Sequence, residues 1–313
     1  MDVDPLVAGV LAGDRRAVAR AISLVEDGGA ELEALSAGIY ASTGRAVTVG
    51  LTGAPGVGKS TLATELVRIE REAGASVAVL AIDPTSPYTG GALLGDRVRM
   101  QEHATDPGVF IRSMATRGHL GGMALAAPEA VRILDAAGYA QIVVETVGVG
   151  QAEVDVAAAT DTAVVVLAPG MGDAIQMAKA GILEIADVFV VNKTDREGAA
   201  DVVRELRQML HLGAARPWEP PVLQTSALHH EGVAELRTAI GAHREHLEAS
   251  GELPARRRSR LLREVEHLAA ERFRTRVSAV LAADETVAEG LESRRIDPYR
   301  AAAMLVDETA AAE

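Results

Sequence analysis

Between Gly53 and Ser60 the chain reads GAPGVGKS, a G-x-x-x-x-G-K-S spacing. That pattern suits a chain of phosphates. Glycines let the main chain wrap closely and turn its N–H groups inward, and a helix opening near Lys59 adds its positive dipole end to the same spot. Lys59 is then expected to bridge the β- and γ-phosphates and the Ser60 hydroxyl to bind Mg2+. Gly53, Ala54, Pro55, Gly56, Val57, Gly58 and Thr61 complete the expected cradle. The bland alternative is a glycine-rich strand–helix turn that happens to end in Lys-Ser. It would need strand, glycines, Lys and Ser to fall in register without purpose, so a bound nucleoside triphosphate is the better reading.

A second pattern bears on the base. VFVVNKTD ends in Asn192, Lys193 and Asp195, an N-K-x-D spacing. One carboxylate can accept hydrogen bonds from guanine N1–H and from its exocyclic amine. Adenine lacks the N1–H and would leave an acceptor unpaired. The Lys193 stem can lie on the purine face, and Asn192 can tie this loop to the phosphate loop. In QTSAL, Ser226, Ala227 and Leu228 stand at a strand end, where the Ala227 amide could meet guanine O6. N-K-x-D alone is a weak signal. Downstream of the phosphate loop it points to a GTPase domain.

Acidic residues offer the metal shell. Glu145 stands near the end of IVVET, where nucleotide hydrolases place an acid near Mg2+, and the Gly148 N–H could sense the γ-phosphate. Lys59, Glu145 and Gly148 are the candidate catalytic groups. Val149 occupies the place where Ras-like proteins keep a water-orienting Gln, and Gln151 lies two residues on, so slow hydrolysis without a partner is expected. Asp83 and Asp96 are further Mg2+ or Mg2+-water ligands, with turn formation and helix capping as their alternatives. His211, His229 and His230 read as surface or packing groups.

Something must position these groups. Seven apolar, β-branched runs, AVTVGLT, SVAVLAI, GVFIRS, AQIVVET, TAVVVLA, DVFVVN and PPVLQTS, alternate with helix-compatible stretches between Ala46 and His246. Several are apolar at nearly every position, as strands covered on both faces require. The fold class expected is α/β: a P-loop NTPase with a mostly parallel, doubly wound sheet plus N-terminal and C-terminal helical extensions. The regions read as 1–44 (helical), 45–250 (GTPase) and 251–313 (helical arm), with Gly251–Pro254 as the hinge.

Hydrophobic residues make up 48% of the 313 residues and the formal net charge is −13, which suits a cored protein and disfavours nucleic acid or anionic lipid as partners. There is no cysteine, which excludes thiol catalysis and zinc–thiolate sites. The N-terminus lacks a secretory pattern and no apolar run is long enough to span a membrane, so a cytoplasmic location is expected. The Arg-rich stretch ARRRSRLLREVEHLAAERFRTRV is interleaved with Glu264, Glu266 and Glu271 and carries a helical apolar stripe, so it reads as a partner-packing helix.

The runs IDPTSPYTGGALLGDRVRM, RSMATRGHLGG, VETVGVGQAE and PGMGDAIQMAKAGILEIADVFVVNKTD, in that order, closely resemble the MeaB/ArgK family. Its members are GTPase chaperones of adenosylcobalamin-dependent acyl-CoA mutases. The resemblance implies an acyl-CoA mutase as partner and a homodimer formed through the C-terminal helices. It also implies roles around Mg2+ and the switches for Asp83, Asp96 and Glu145. Asp173, Gln176 and Lys179 fall in a stretch resembling the family's extra switch loop, although spacing alone reads Gln176 and Lys179 as a solvated helix face. Arg117 and His119 lie in a family-like loop without a derivable role. Two other functions stay open: a small-molecule kinase linked to amino-acid transport, and a metallochaperone GTPase. The first lacks an evident acceptor base, and the second lacks Cys or a His-rich tract.

Overall fold

The computed structural model describes residues 3–28, 31–84, 100–103, 105–116, 122–146, 159–170, 182–213, 216–283 and 285–311. The chain divides into two compact units, Met1–Arg260 and Leu261–Glu313. Of the expected site residues, Asp96, Gly148, Asp173, Gln176 and Lys179 lie outside the described residues, as do Arg117, His119 and Gln151.

Each of the seven apolar runs becomes a strand: β1 (Val47–Thr52), β2 (Val77–Pro84), β3 (Val109–Thr116), β4 (Gln141–Thr146), β5 (Thr162–Leu167), β6 (Val188–Val191) and β7 (Val222–Gln224). They form one sheet in the order β3-β2-β4-β1-β5-β6-β7. Every pairing is parallel. β4, β5 and β6 are buried at every position. The cause is cover on both faces. Val49, Val79, Val143, Val164 and Val188 pack beneath α4 (Lys59–Glu72) and, later in the chain, the helix Val233–Ala249. Their neighbours in each strand turn the other way. Leu80, Ile142 and Val144 join a core with α1 (Asp4–Leu11), α2 (Arg15–Asp27), α3 (Leu32–Ile39) and α5 (Gly122–Ala136). Val165, Leu167, Phe189 and Val191 pack against α6 (Ala199–Leu212). The sheet is thus doubly wound, with the N-terminal helices sharing the core of β2–β4.

The helix Val233–Ala249 is α7, and Gly251, at φ 74°, separates it from α8 (Glu252–Ala283). The chain therefore turns at Gly251, while the division between units falls after Arg260. The first turns of α8 are fastened to the sheet's amino-terminal end. Arg257 donates to Asp161 from Nε (3.1 Å) and Nη2 (2.6 Å), Arg260 also pairs with Asp161, and Arg256 donates to Asp187 at 3.0 Å. Part of the Arg-rich stretch is therefore turned inward onto the protein's own carboxylates. Within the second unit, α9 (Thr286–Glu292) and α10 (Pro298–Ala311) contribute Val287, Ala301 and Leu305 to a small core with Val277 and Val280. Leu262, Val265, Leu268 and Phe273 of α8 are exposed.

Candidate functional site

All the functional loops that can be described leave the carboxyl ends of the strands, the edge where open α/β sheets bind ligands. The central strand β1 runs into the Gly53–Gly58 loop and then α4. Two glycines there are dictated by geometry. Gly53 (φ 144°) lies so close to β5 that a Cβ would collide with the Val166 carbonyl oxygen. Gly58 (φ 97°) caps α4, and a Cβ there would collide with the Asn192 side-chain amide. Any L-side chain would be strained at both positions.

Lys59 is buried, and its Nζ donates to the carbonyl oxygens of Gly53 (2.6 Å) and Ala54 (3.0 Å). The loop thus curls around an ammonium at the mouth of a helix N-terminus. Ser60 donates from Oγ to Glu145 Oε1 at 2.6 Å, and both groups are buried. The partners stand 85 residues apart and meet because β4 lies beside β1, with Leu51 in register with Glu145. Asp83 is the penultimate residue of β2, which lies between β4 and β3, its main chain in register with Ala115 of β3. A hydroxyl and a carboxylate in contact offer hard oxygen donors, the set that Mg2+ prefers. On that test the residues fit the ion.

Asn192, buried after β6, joins the two halves of the site. Its Nδ2 donates to the Val57 carbonyl of the phosphate loop at 2.9 Å. Its Oδ1 accepts from Thr225 Oγ1 (3.0 Å) and from the Ala227 main-chain N–H (3.1 Å). The Ala227 amide, offered by the sequence to guanine O6, is therefore engaged by Asn192 here. Thr225 had no marked role in the sequence. Its place beside Ser226 was the available signal, but its value depends on β7 lying next to β6. Lys193 takes a left-handed conformation (φ 60°) and donates from Nζ to the Gly56 carbonyl at 2.5 Å. Burial and the neighbouring Arg196 pull its ammonium below the ordinary lysine range, against the opposing pull of Asp195. Asp195 is exposed, and Ser226 Oγ donates to its Oδ1 at 2.7 Å. That hydrogen bond holds the carboxyl below the usual range, so Asp195 is an acceptor-only carboxylate at neutral pH. Leu228, next to Ala227, is exposed.

His230 is exposed, and its Nδ1 lies 2.6 Å from Glu65 Oε2 on α4. A second histidine, His243, is fully buried near Asp187 (3.2 Å) and Thr162 (2.9 Å) at the amino ends of β6 and β5, across the sheet from the phosphate loop. Among the described residues no helix is long and apolar enough to cross a membrane.

Comparison with known proteins agrees with this geometry. The model of a family described as methylmalonyl Co-A mutase-associated GTPase MeaB matches residues 18–282. A Pyrococcus abyssi relative is 48% identical over 312 residues, covering 98% of this chain and 96% of its own. GTPase ArgK of Escherichia coli is 39% identical over 250 residues, 77% of this chain and 76% of its own. Among solved structures, that of a LAO/AO transport system kinase superposes with a TM-score of 0.71 at 26% identity, covering 98% of this chain and 97% of the other.

Proposed function

The chain belongs to the methylmalonyl-CoA mutase-associated GTPase MeaB family, and from that premise we propose that it is a guanine-nucleotide switch serving an adenosylcobalamin-dependent acyl-CoA mutase. GTP hydrolysis is the family's activity. The observation that carries the reading is Asn192, one buried side chain bonded at once to the phosphate loop and the base loop. A nucleotide would lie between these loops with its phosphates over Gly53–Ser60 and its base at Asp195.

The chemistry follows from the groups present. The Lys59 ammonium exchanges its loop carbonyls for phosphate oxygens, and the loop amides hold the charge that builds as water attacks the γ-phosphorus and the bond to the bridging oxygen breaks. Asp195 accepts from the guanine N1–H and amine, with Ser226 fixing its orientation. Ser60 and Glu145, with Asp83, would hold Mg2+, which when bound supplies positive charge to the phosphate oxygens. Gly148, Asp96 and the stretch with Asp173, Gln176 and Lys179 are proposed as switch residues from the family resemblance. The two nucleotide states would differ in affinity for the mutase, because a partner can shift a switch only by binding its states unequally. We further propose that 251–313 is a dimerisation arm, supported by the exposed apolar side chains of α8.

A kinase reading takes its support from the name of the solved LAO/AO structure. It would need a base beside the phosphate loop. The His243–Asp187 pair is buried at the opposite end of the sheet.

The test is GTP turnover by purified protein with and without an adenosylcobalamin-dependent mutase. Slow turnover that rises with the mutase supports the chaperone reading. Stoichiometric phosphorylation of an amino acid would overturn it. For the base, Asp195→Asn is expected to shift preference from GTP to XTP, and an unchanged preference removes the guanine assignment.

A further inference from the structure

The base-reading loop is a closed unit. Ser226 and Glu231 exchange main-chain hydrogen bonds (3.0 and 3.1 Å), and the 3-10 turn Ala227–His229 lies between them. His230 ends that turn in the left-handed region (φ 61°), unusual for a residue with a Cβ. This conformation accompanies the contact of its Nδ1 with Glu65 Oε2 at 2.6 Å, even though the imidazole is 62% exposed. Glu65 is the opposite case, a carboxylate only 6% exposed on α4, with Arg68 Nε as its other donor at 2.9 Å. Lys59 and Ser60 stand at the start of the same helix.

We infer that His230 and Glu65 form a clasp that sets the base-reading loop against the phosphate-binding helix, making His230 a positioning residue for guanine selectivity. A carboxylate can only accept, so Nδ1 must carry the shared proton, and a hydrogen bond to a buried charge is among the stronger ones. Burial pushes the Glu65 carboxyl up, but the bonds from His230 and Arg68 outweigh it and hold it below its ordinary value. The phosphate loop runs directly into α4, and Asp195 is held by Ser226 of the loop after β7, so the spacing of phosphate and base recognition depends on ties between α4 and that loop. A second tie lies farther from the base. Arg237 Nε donates to buried Glu70 Oε1 at 2.9 Å, with Val233 and Leu236 fully buried nearby. This pair provides a control, because it ties α4 to α7, the helix that follows the loop, without touching the base loop.

The inference rests on the guanine reading of Asp195, and the test separates the two. Calorimetric titration of GDP and of IDP, which lacks the exocyclic amine, is compared for wild type, His230→Ala, His230→Asn and Arg237→Ala. Thermal unfolding of each variant is followed in parallel. For His230→Ala we expect GDP affinity to fall about fivefold to tenfold, at the lower end of the usual coupling between sites, and the GDP-to-IDP ratio to shrink. Asn can place a donor near the Nδ1 position and tolerates the left-handed backbone, so His230→Asn should recover most of the ratio. Arg237→Ala should lower the melting temperature and leave the ratio unchanged. Wild-type affinity and ratio in His230→Ala would overturn the clasp, as would an equal loss of ratio in Arg237→Ala. If wild-type protein bound neither nucleotide, the guanine reading itself would be at fault.

Discussion

Replacing Asn192 with Ala should damage nucleotide binding more than its small size implies. The side chain is 2% exposed and makes three hydrogen bonds: to the Val57 carbonyl (2.9 Å), from Thr225 Oγ1 (3.0 Å) and from the Ala227 amide (3.1 Å). A neutral buried hydrogen bond contributes about 1 kcal/mol net, so the three together amount to about 3 kcal/mol. If all of it served to hold the two loops ready for ligand, GDP affinity would fall about a hundredfold, at 1.4 kcal/mol per factor of ten. Two milder variants resolve the parts. Thr225→Val keeps the shape and removes a single bond, so about fivefold is expected. Asn192→Asp keeps both acceptor roles but turns a carboxylate oxygen toward the Val57 carbonyl, and should lose more than Thr225→Val. Fluorescent GDP displacement at fixed Mg2+ measures all three. An Asn192→Ala protein within threefold of wild type, with an unchanged melting curve, would refute the claim that this side chain joins the two halves of the site.

Gly58→Ala should reduce GDP affinity by at least tenfold, since its Cβ would strike the Asn192 amide in a left-handed conformation. Displacement titration tests it, and near-normal affinity would mean the loop relaxes freely. Ser60→Ala should weaken the Mg2+ dependence of GTP turnover while leaving the fold intact, which a Mg2+ titration of the rate would reveal. Asp161→Asn should cost roughly 3 kcal/mol by depriving two half-buried guanidinium groups of their carboxylate, the lower end of the range because Arg257 and Arg260 are 25% and 19% exposed. In calorimetry that corresponds to a fall in Tm of roughly 6–12 °C. Burial pushes the Asp161 carboxyl up, but Arg257 and Arg260 outweigh it and hold it below the ordinary value. The stabilisation it gives is therefore complete above about pH 4 and lost as the pH falls through the lowered folded-state value. Acid unfolding of wild type and Asp161→Asn should accordingly converge at low pH, and parallel curves throughout would count against the pairing.

What the amino-acid order determined is what neighbouring residues decide among themselves. All seven strands are legible in the sequence, and β4, β5 and β6 most plainly, because burial on both faces leaves no place for polar alternation there. GAPGVGKS marks its loop because glycine alone tolerates the main-chain angles at Gly53 and Gly58. The pairings that make those elements into a site were decided by the tertiary structure. Ser60 meets Glu145 across 85 residues and Asn192 meets Val57 across 135, each brought together by the crossover order of the strands. The engagement of the Ala227 amide, the hold of His230 on Glu65 and the inward turn of Arg257 onto Asp161 likewise had no local pattern to announce them. Backbone preferences act over a few residues, whereas a hydrogen bond forms between whichever groups the finished sheet sets side by side.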